Sequence, residues 1–330
     1  MINDDDAIAR VLRPSGRRVE VSAERAARVR GAVRSEWRAH TRRRTVRLRV
    51  LGAVGLLAVA ATVLVRIGGG RGTVPALPRE IVARLERIDG ETTVASPGEG
   101  ARTAAVLLAD GGAVQAGAWV QTGRNGRCAL RLAGGTSMRM DTGGRLRLIS
   151  PTIVELTSGT LYFDTGRAAA GLEVRTSLGT IHDIGTQFEV RLQDSSLRLR
   201  VRTGLAEFRR GADVVSARAG TEVTLAAGAT ITSAVATYGP EWGWTADLVA
   251  PFETEGQPLA AYLEHLAHEH GWTLQYADAA LARDASSTIL HGTISGLQPE
   301  EALAAALATS GLLHRFHDGE VIIFRSSEPR

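Results

Sequence analysis

Apolar and polar residues alternate in four different ways along this chain, and each pattern predicts a different kind of element. Near the start, Ala26, Val29, Val33 and Trp37 recur at helical spacing, with Arg25, Arg28, Arg34 and Arg38 on the opposite face. From Val50 to Val65 the run VLGAVGLLAVAATVLV carries no charge. As a helix rising about 1.5 Å per residue it would be roughly 24 Å long, a little short of a ~30 Å bilayer core. Leu48 and Ile67 extend the apolar length, and Arg49 and Arg66 would have to snorkel. From about Ile81 to Ala236 the pattern becomes short alternating runs punctuated by glycine, the signature of antiparallel strands. In Leu197–Arg202, LRLRVR, the alternation is strict, so one face is predicted to be buried and arginine to line the other. No helical period of useful length occurs there, which predicts an all-β sandwich, roll or short β-helix.

After Tyr238-Gly239-Pro240 the period changes again. Pro258–His270 has Leu259, Leu263 and Leu266 on one helical face and a stop at Gly271. Pro299–Thr309 has Leu303 and Leu307 inward and a stop at Gly311. Val249–Gly256 and Ser287–Ser295 read as strands ahead of these helices. Leu312–Asp318 and Glu320–Ser326 read as a hairpin turning across Asp318-Gly319. The pattern therefore predicts a small α+β module built as a βαβ repeat. The expected organisation is a helical segment at 1–47, a transmembrane helix at 48–67, a linker at 68–80, an all-β domain at 81–236, and the α+β module at 241–326.

Charge sharpens this division. The chain of 330 residues has a formal net charge of +4, and its 39 basic side chains are all arginine. A basic balance would suggest nucleic acid, but the charge is split. Residues 1–49 carry +8, residues 66–240 carry +5 and residues 241–330 carry −9. Arginines crowd the N-terminal flank of the apolar run, so the positive-inside rule places residues 1–47 in the cytoplasm and the remainder outside. A basic flank of 49 residues is too long for the leading region of a signal peptide. The single Cys128 excludes an intramolecular disulfide and any CxxC site; it reads as a small buried apolar residue.

Candidate chemistry is sparse. No nucleophile–base pair, acid pair or phosphate loop is visible, so no catalytic residue, cofactor or metal is predicted. His182 and Asp183 are neighbours on a strand, and adjacent strand residues point to opposite faces. Trp242 and Trp244 read as packing between modules. Six of the eight histidines lie after residue 241. His265 and His268 share a helical face, and a metal site there would need a third ligand from another strand, with Glu269 pointing elsewhere.

Spaced landmarks carry a resemblance. Gly117-Ala118-Trp119-Val120-Gln121-Thr122-Gly123 is followed by Leu156–Phe163, LTSGTLYF, and by Gly185-Thr186-Gln187-Phe188-Glu189-Val190. Gly204-Leu205-Ala206-Glu207-Phe208 and Ala219-Gly220 complete the order. From Gly117 to about Gly228 the chain resembles the FecR domain of bacterial sigma-factor regulators. In that resemblance Gly185, Thr186, Phe188 and Val190 are structural motif residues. From Pro251 to Arg325 it resembles the short STN-like N-terminal domain of secretins and TonB-dependent receptors, on Gly292–Leu303 and on Asp318-Gly319 followed by Ile322.

These resemblances imply a single-pass inner-membrane signal transducer with a cytoplasmic N-terminus and a periplasmic C-terminus, and not an enzyme. The N-terminal segment, through Val29, Val33 and Trp37, would bind an extracytoplasmic-function (ECF-type) sigma factor or another cytoplasmic protein. The C-terminal module would meet an outer-membrane or periplasmic protein, and no direct contact with nucleic acid is implied. The chain departs from the best-known members in having one convincing amphipathic helix where they have several. The rival expectation is an envelope structural or adaptor protein whose β domain binds a periplasmic partner or a polysaccharide.

Overall fold

The computed structural model describes residues 80–95, 111–166, 171–226, 228–294, 296–308 and 310–325. The expected cytoplasmic segment with Val29, Val33 and Trp37, the expected span at 48–67, and nearly all of the linker lie outside the described residues. Among the described residues no helix is long and apolar enough to cross a membrane.

The alternating runs form strands. In chain order they are β1 Ile81–Asp89, β2 Thr92–Ala95, β3 Ala113–Gln115, β4 Trp119–Thr122, β5 Arg127–Leu132, β6 Ser137–Met140 and β7 Arg145–Ser150. There follow β8 Ile153–Asp164, β9 Glu173–Thr176, β10 Gly179–Gln193, β11 Ser196–Arg210, β12 Asp213–Arg218, β13 Thr221–Ala226 and β14 Ala229–Ala234. The main path through the sheet is β14-β13-β11-β10-β9-β8-β6-β5-β1-β3, with β7, β4 and β2 branching from β8 and β12 from β11.

Two 15-residue strands organise this sheet because both bend midway. The first half of β10 pairs with β9 and the end of β11; its second half pairs with β8 and the start of β11. The start of β11 pairs with β13 and its end with β12. The register shifts between Ile184 and Phe188, where a bulge lets each strand turn a corner and serve two groups of neighbours. Gly185 (φ +69°) and Gly204 (φ +78°) face each other at this corner, and both are left-handed. A Cβ at Gly204 would lie 2.4 Å from the Gly185 carbonyl oxygen, whereas a Cβ at Gly185 would meet only the Gly166 carbonyl oxygen at 3.8 Å.

Thr186 fixes the corner. Its N–H donates to Thr165 Oγ1 at 2.8 Å, and its hydroxyl reaches the Leu205 carbonyl at 3.0 Å and the Asp183 carboxylate. Thr165 Oγ1 returns a bond to the Thr186 carbonyl at 3.1 Å. Beyond the corner, Phe188 and Val190 point into the core, and Phe188 stacks on Phe163 at 5.1 Å between ring centroids. One apolar core joins residues from both halves, including Leu130, Met138, Ile181, Leu199 and Phe208. Cys128 is fully buried in it, and burial pushes its thiol up to about 12.

The C-terminal module holds α1 Leu259–His270, β15 Thr273–Tyr276, α2 Ala279–Ser287, α3 Pro299–Ala308, β16 Leu312–His317 and β17 Glu320–Arg325. Its sheet order is β15-β17-β16, with β15 parallel to β17 and β16 antiparallel to it. The hairpin turns through Asp318 and Gly319, both left-handed, and Gly271 caps α1 at φ +69°, as the sequence predicts. Leu263, Leu266, Leu281, Leu303, Leu307 and Ile323 share a second core.

The βαβ repeat is not regular. Val249–Gly256 and the stretch after Thr288 do not join the sheet. They hold each other instead: Leu290 N–H donates to the Gln257 carbonyl at 2.8 Å and Gly256 N–H to the Leu290 carbonyl at 2.9 Å. These bonds amount to one isolated bridge, Pro258 to Ile289, and no named strand; Pro258 has no N–H to extend a ladder. The structure adds α2, which the sequence pattern does not mark; its start is capped by Asp278 accepting from Ala280 and Leu281 N–H.

Phe188→Ala is expected to cost about 3–5 kcal/mol in denaturant unfolding, as for other buried aromatics. Gly204→Ala should destabilise clearly more than Gly185→Ala in the same measurement, because only the first forces backbone atoms apart. Equal losses would mean that left-handed strain alone sets both.

Candidate functional site

Alternation places the polar residues of the central strands on one face. Register carries a row across five strands: Arg139 opposite Tyr162, Tyr162 opposite Glu189, Glu189 opposite Arg200, and Arg200 opposite Glu222. Charges on an open sheet face would normally be solvated. Here Arg139 is 3% exposed, Glu189 1% and Arg202 2%, and Tyr162 is fully buried. The arginine face predicted to line one side of the sheet is therefore covered around these residues, by the chain that follows β14 and by the end of α1.

Arg202 is the centre of this contact. Its Nε donates to the Thr237 carbonyl at 2.8 Å, and its Nη1 to the Glu269 carbonyl at 3.0 Å and to the Tyr162 hydroxyl at 3.4 Å. The guanidinium lies 4.6 Å above the Trp242 ring. Trp242 meets Tyr162 edge-on at 6.2 Å and donates to the Ala236 carbonyl at 2.8 Å. Arg139 donates to the Thr245 carbonyl at 3.1 Å and to Glu269 Oε2 at 2.7 Å. Trp244 donates to Glu189 Oε2 at 3.1 Å. At the edge, Arg87 reaches the Val249 carbonyl at 2.9 Å and Arg127 reaches Asp247 at 3.3 Å. Gly271 is required by this docking as well as by its own φ. A Cβ there would sit 2.1 Å from the Thr237 carbonyl oxygen. Trp242 and Trp244 thus pack between the modules, as the sequence suggests.

The titratable groups divide into two sets. His268 Nε2 lies 2.6 Å from Asp164 Oδ2, with the Gln187 amide 2.9 Å from the same nitrogen. The hydrogen bond to Asp164 raises the His268 pKa against burial. Burial alone would raise Asp164, but the His268 bond and charge, with bonds from Gln187 and the Gly166 N–H, hold it below its ordinary value. His270 is pushed down to about 4 by burial and then by the Arg202 charge. His265 is also lowered by burial, and its ring packs 4.9 Å from Phe252. Burial pushes Tyr162 up to about 12.

Asp164, His268 and Glu269 have one ligand atom each within 4.8 Å of one another. The third ligand from another strand is thus present as Asp164, and Glu269 turns toward the cluster and not away from it. His265 is not part of it. Arg139 already holds the Glu269 carboxylate, so a divalent cation would have to displace a buried guanidinium. The arrangement suits a salt-bridged joint better than a metal centre.

Beside the joint opens a groove of about 1070 Å³, lined among others by Arg202, Trp242, His265, His270, Trp272 and Phe316. His182 and Asp183 do not form a pair. Asp183 is buried at the corner beside Thr186, with its carboxyl raised by burial, while His182 stands opposite Glu207 and Glu173. The motif residues Gly185, Thr186, Phe188 and Val190 shape the corner and core and line neither joint nor groove. Sequence reasoning does not single out Arg139, Tyr162 or Asp164, and it turns Glu269 elsewhere. The available signal was Tyr162 and Glu189 placed among outward strand positions, with two tryptophans soon after the last strand.

Two measurements test the joint. Arg202→Met orphans the carbonyls of Thr237 and Glu269, which should cost about 1–3 kcal/mol per lost partner in urea unfolding and speed protease cleavage between β14 and α1. For pH, the unfolded values are 6.5 for histidine and 3.8 for aspartate. Raised His268 contributes fully below pH 6.5, and that contribution is lost as pH rises through its folded value. Lowered Asp164 contributes above 3.8 and is lost as pH falls through its folded value. His270 acts in the opposite sense to His268: the unfolded chain takes a proton at 6.5 that the fold refuses until about 4, so stability falls as pH drops across that range. His268→Gln should therefore flatten the alkaline side of the stability profile, and His270→Gln the acidic side.

A search of curated proteins returns no match. Among solved structures, two crystal structures of "a putative anti-sigma factor from Parabacteroides distasonis ATCC 8503", at 2.50 and 1.65 Å resolution, are similar at 16% identity and a TM-score of 0.34. They cover 63% of this chain and 99% of theirs. The sequence match is more local. Residues 118–207, which run from just before β4 through most of β11 and hold both corner glycines, match the family model described as FecR protein.

Proposed function

We propose that this chain is a regulator of the FecR type that acts on a sigma factor across a membrane. The match of residues 118–207 to the FecR protein family carries the reading. The uncharged run within 48–67 and its arginine-rich flank support a single span with the N-terminus in the cytoplasm. Residues 1–47 then offer Val29, Val33 and Trp37 to an ECF-type sigma factor. The α+β module, read as STN-like, receives an outer-membrane or periplasmic protein.

The joint supports a transmission step. A partner outside can influence the segment inside only through its differential affinity for two arrangements of the chain. Directional bonds from Arg139, Arg202 and His268 tie the α+β module to the β domain, so binding at one module bears on its contact with the other. No catalytic step belongs to this reading.

Full-length chain in detergent should capture a sigma factor from bacterial lysate, identified by mass spectrometry. Trp37→Ala should reduce that capture by about tenfold or more, as expected for a central aromatic anchor. Recovery of envelope proteins alone, unchanged by Trp37→Ala, would favour an adaptor.

A further inference from the structure

Beside the joint, on the same face of the sheet, one row carries two arginines side by side. The register sets Thr160 opposite Arg191, Arg191 opposite Arg198, Arg198 opposite Thr224, and Thr224 opposite Ile231. Like charges directly opposite on adjacent strands destabilise a sheet. The neighbouring row avoids this, because Arg200 stands between Glu189 and Glu222. In the arginine row no position is an acid. The row opens to water at its end, where Ile231 is 61% exposed, and both arginines are half-buried.

The acids of the neighbouring row do not neutralise the pair. Glu189 Oε1 accepts from Arg198 Nη2 at 2.9 Å, but its Oε2 accepts from Trp244. Glu222 Oε2 accepts from Arg200 Nε and lies 4.0 Å from Arg198 Nε. That Arg198 Nε is buried and has no hydrogen-bond partner among the described residues. Arg191 meets no carboxylate among them. Its Nε donates to Thr160 Oγ1 at 3.0 Å, which leaves both terminal nitrogens for other acceptors. A guanidinium N–H withdrawn from water without an acceptor is costly, and the second guanidinium across the strand adds repulsion. One oxyanion between the two side chains answers both.

We propose that Arg191 and Arg198 bind a phosphate group, flanked by the hydroxyls of Thr160 and Thr224. Arginine forks meet phosphate oxygens two at a time. Forks arriving from two strands suit a tetrahedral group with three acceptor oxygens better than a planar carboxylate. The group is either the free ion or the phosphate of a monoester. Its binding bears on the joint, because phosphate competes with Glu189 for Arg198, and Glu189 also holds Trp244.

The full-length chain in detergent, at an ionic strength held constant with chloride, should bind inorganic phosphate in isothermal titration calorimetry. Arg191→Gln, which takes only the Thr160 bond from the fold, should weaken that binding at least tenfold. Arg218→Gln, at an exposed arginine of β12, should bind as the native chain does. Tighter binding of glycerol phosphate than of inorganic phosphate would assign the site to a monoester, and the reverse order to the free ion. The proposal is overturned if phosphate does not bind the native chain, if acetate binds as tightly, or if Arg191→Gln binds phosphate undiminished.

Discussion

The contact of Arg202 and Arg139 with the chain beyond β14 governs the rest of this structure. A guanidinium removed from water is tolerated only where its donors find acceptors, since an unpaired buried charge costs several kcal/mol. On the β domain's polar face Glu189 and Glu222 already accept from Arg198 and Arg200. Backbone carbonyls of Thr237, Thr245 and Glu269, and one carboxylate, supply acceptors for Arg139 and Arg202 from outside it. The path of residues 236–246, the tryptophan over Arg202 and the glycine that ends α1 all follow from this requirement.

Two apolar cores therefore meet through a polar layer and do not merge. Apolar faces can slide by small amounts at little cost, because burial is non-directional. Hydrogen bonds from a planar guanidinium cannot, because they weaken steeply with angle. A joint of this kind has few arrangements, each well defined, and it responds to charge. Asp164–His268 and Arg139–Glu269 stand side by side in it, so a change in the protonation of one pair alters the field at the other.

Much of this was legible in the sequence and some was not, for identifiable reasons. Alternation in Leu197–Arg202 places Leu197, Leu199 and Val201 in the core, where they lie. Arginine lines the other face, as the alternation predicts, but the same alternation says nothing about whether that face is open or covered. Period two reports which residues share a face; cover comes from elsewhere in the chain. Gly271, Pro299 and Asp318-Gly319 marked helix and hairpin ends because their chemistry is local. The apolar runs at Val249–Gly256 and after Thr288 misled because their composition suits a strand, while Pro258 and their mutual bonds keep them out of the sheet. Helical geometry alone turns Glu269 away from the His265 and His268 face, and it does not register that Arg139 waits across the joint.

The region that matches FecR protein ends at Glu207, and this divides the joint in a telling way. Arg139, Tyr162, Asp164, Gln187, Glu189 and Arg202 all fall inside residues 118–207. Trp242, Trp244, Thr245, His268 and Glu269 fall outside. Some of these groups are paired within the β domain, Glu189 with Arg198 and Asp164 with Gln187, while Arg139 and Arg202 take carbonyl acceptors from the following segment. A domain with such a face specifies what must dock on it more narrowly than an apolar patch would, because each partner has to match in position and in sign. The polar face then acts as the selective element, and the apolar core behind it keeps that face rigid enough to select.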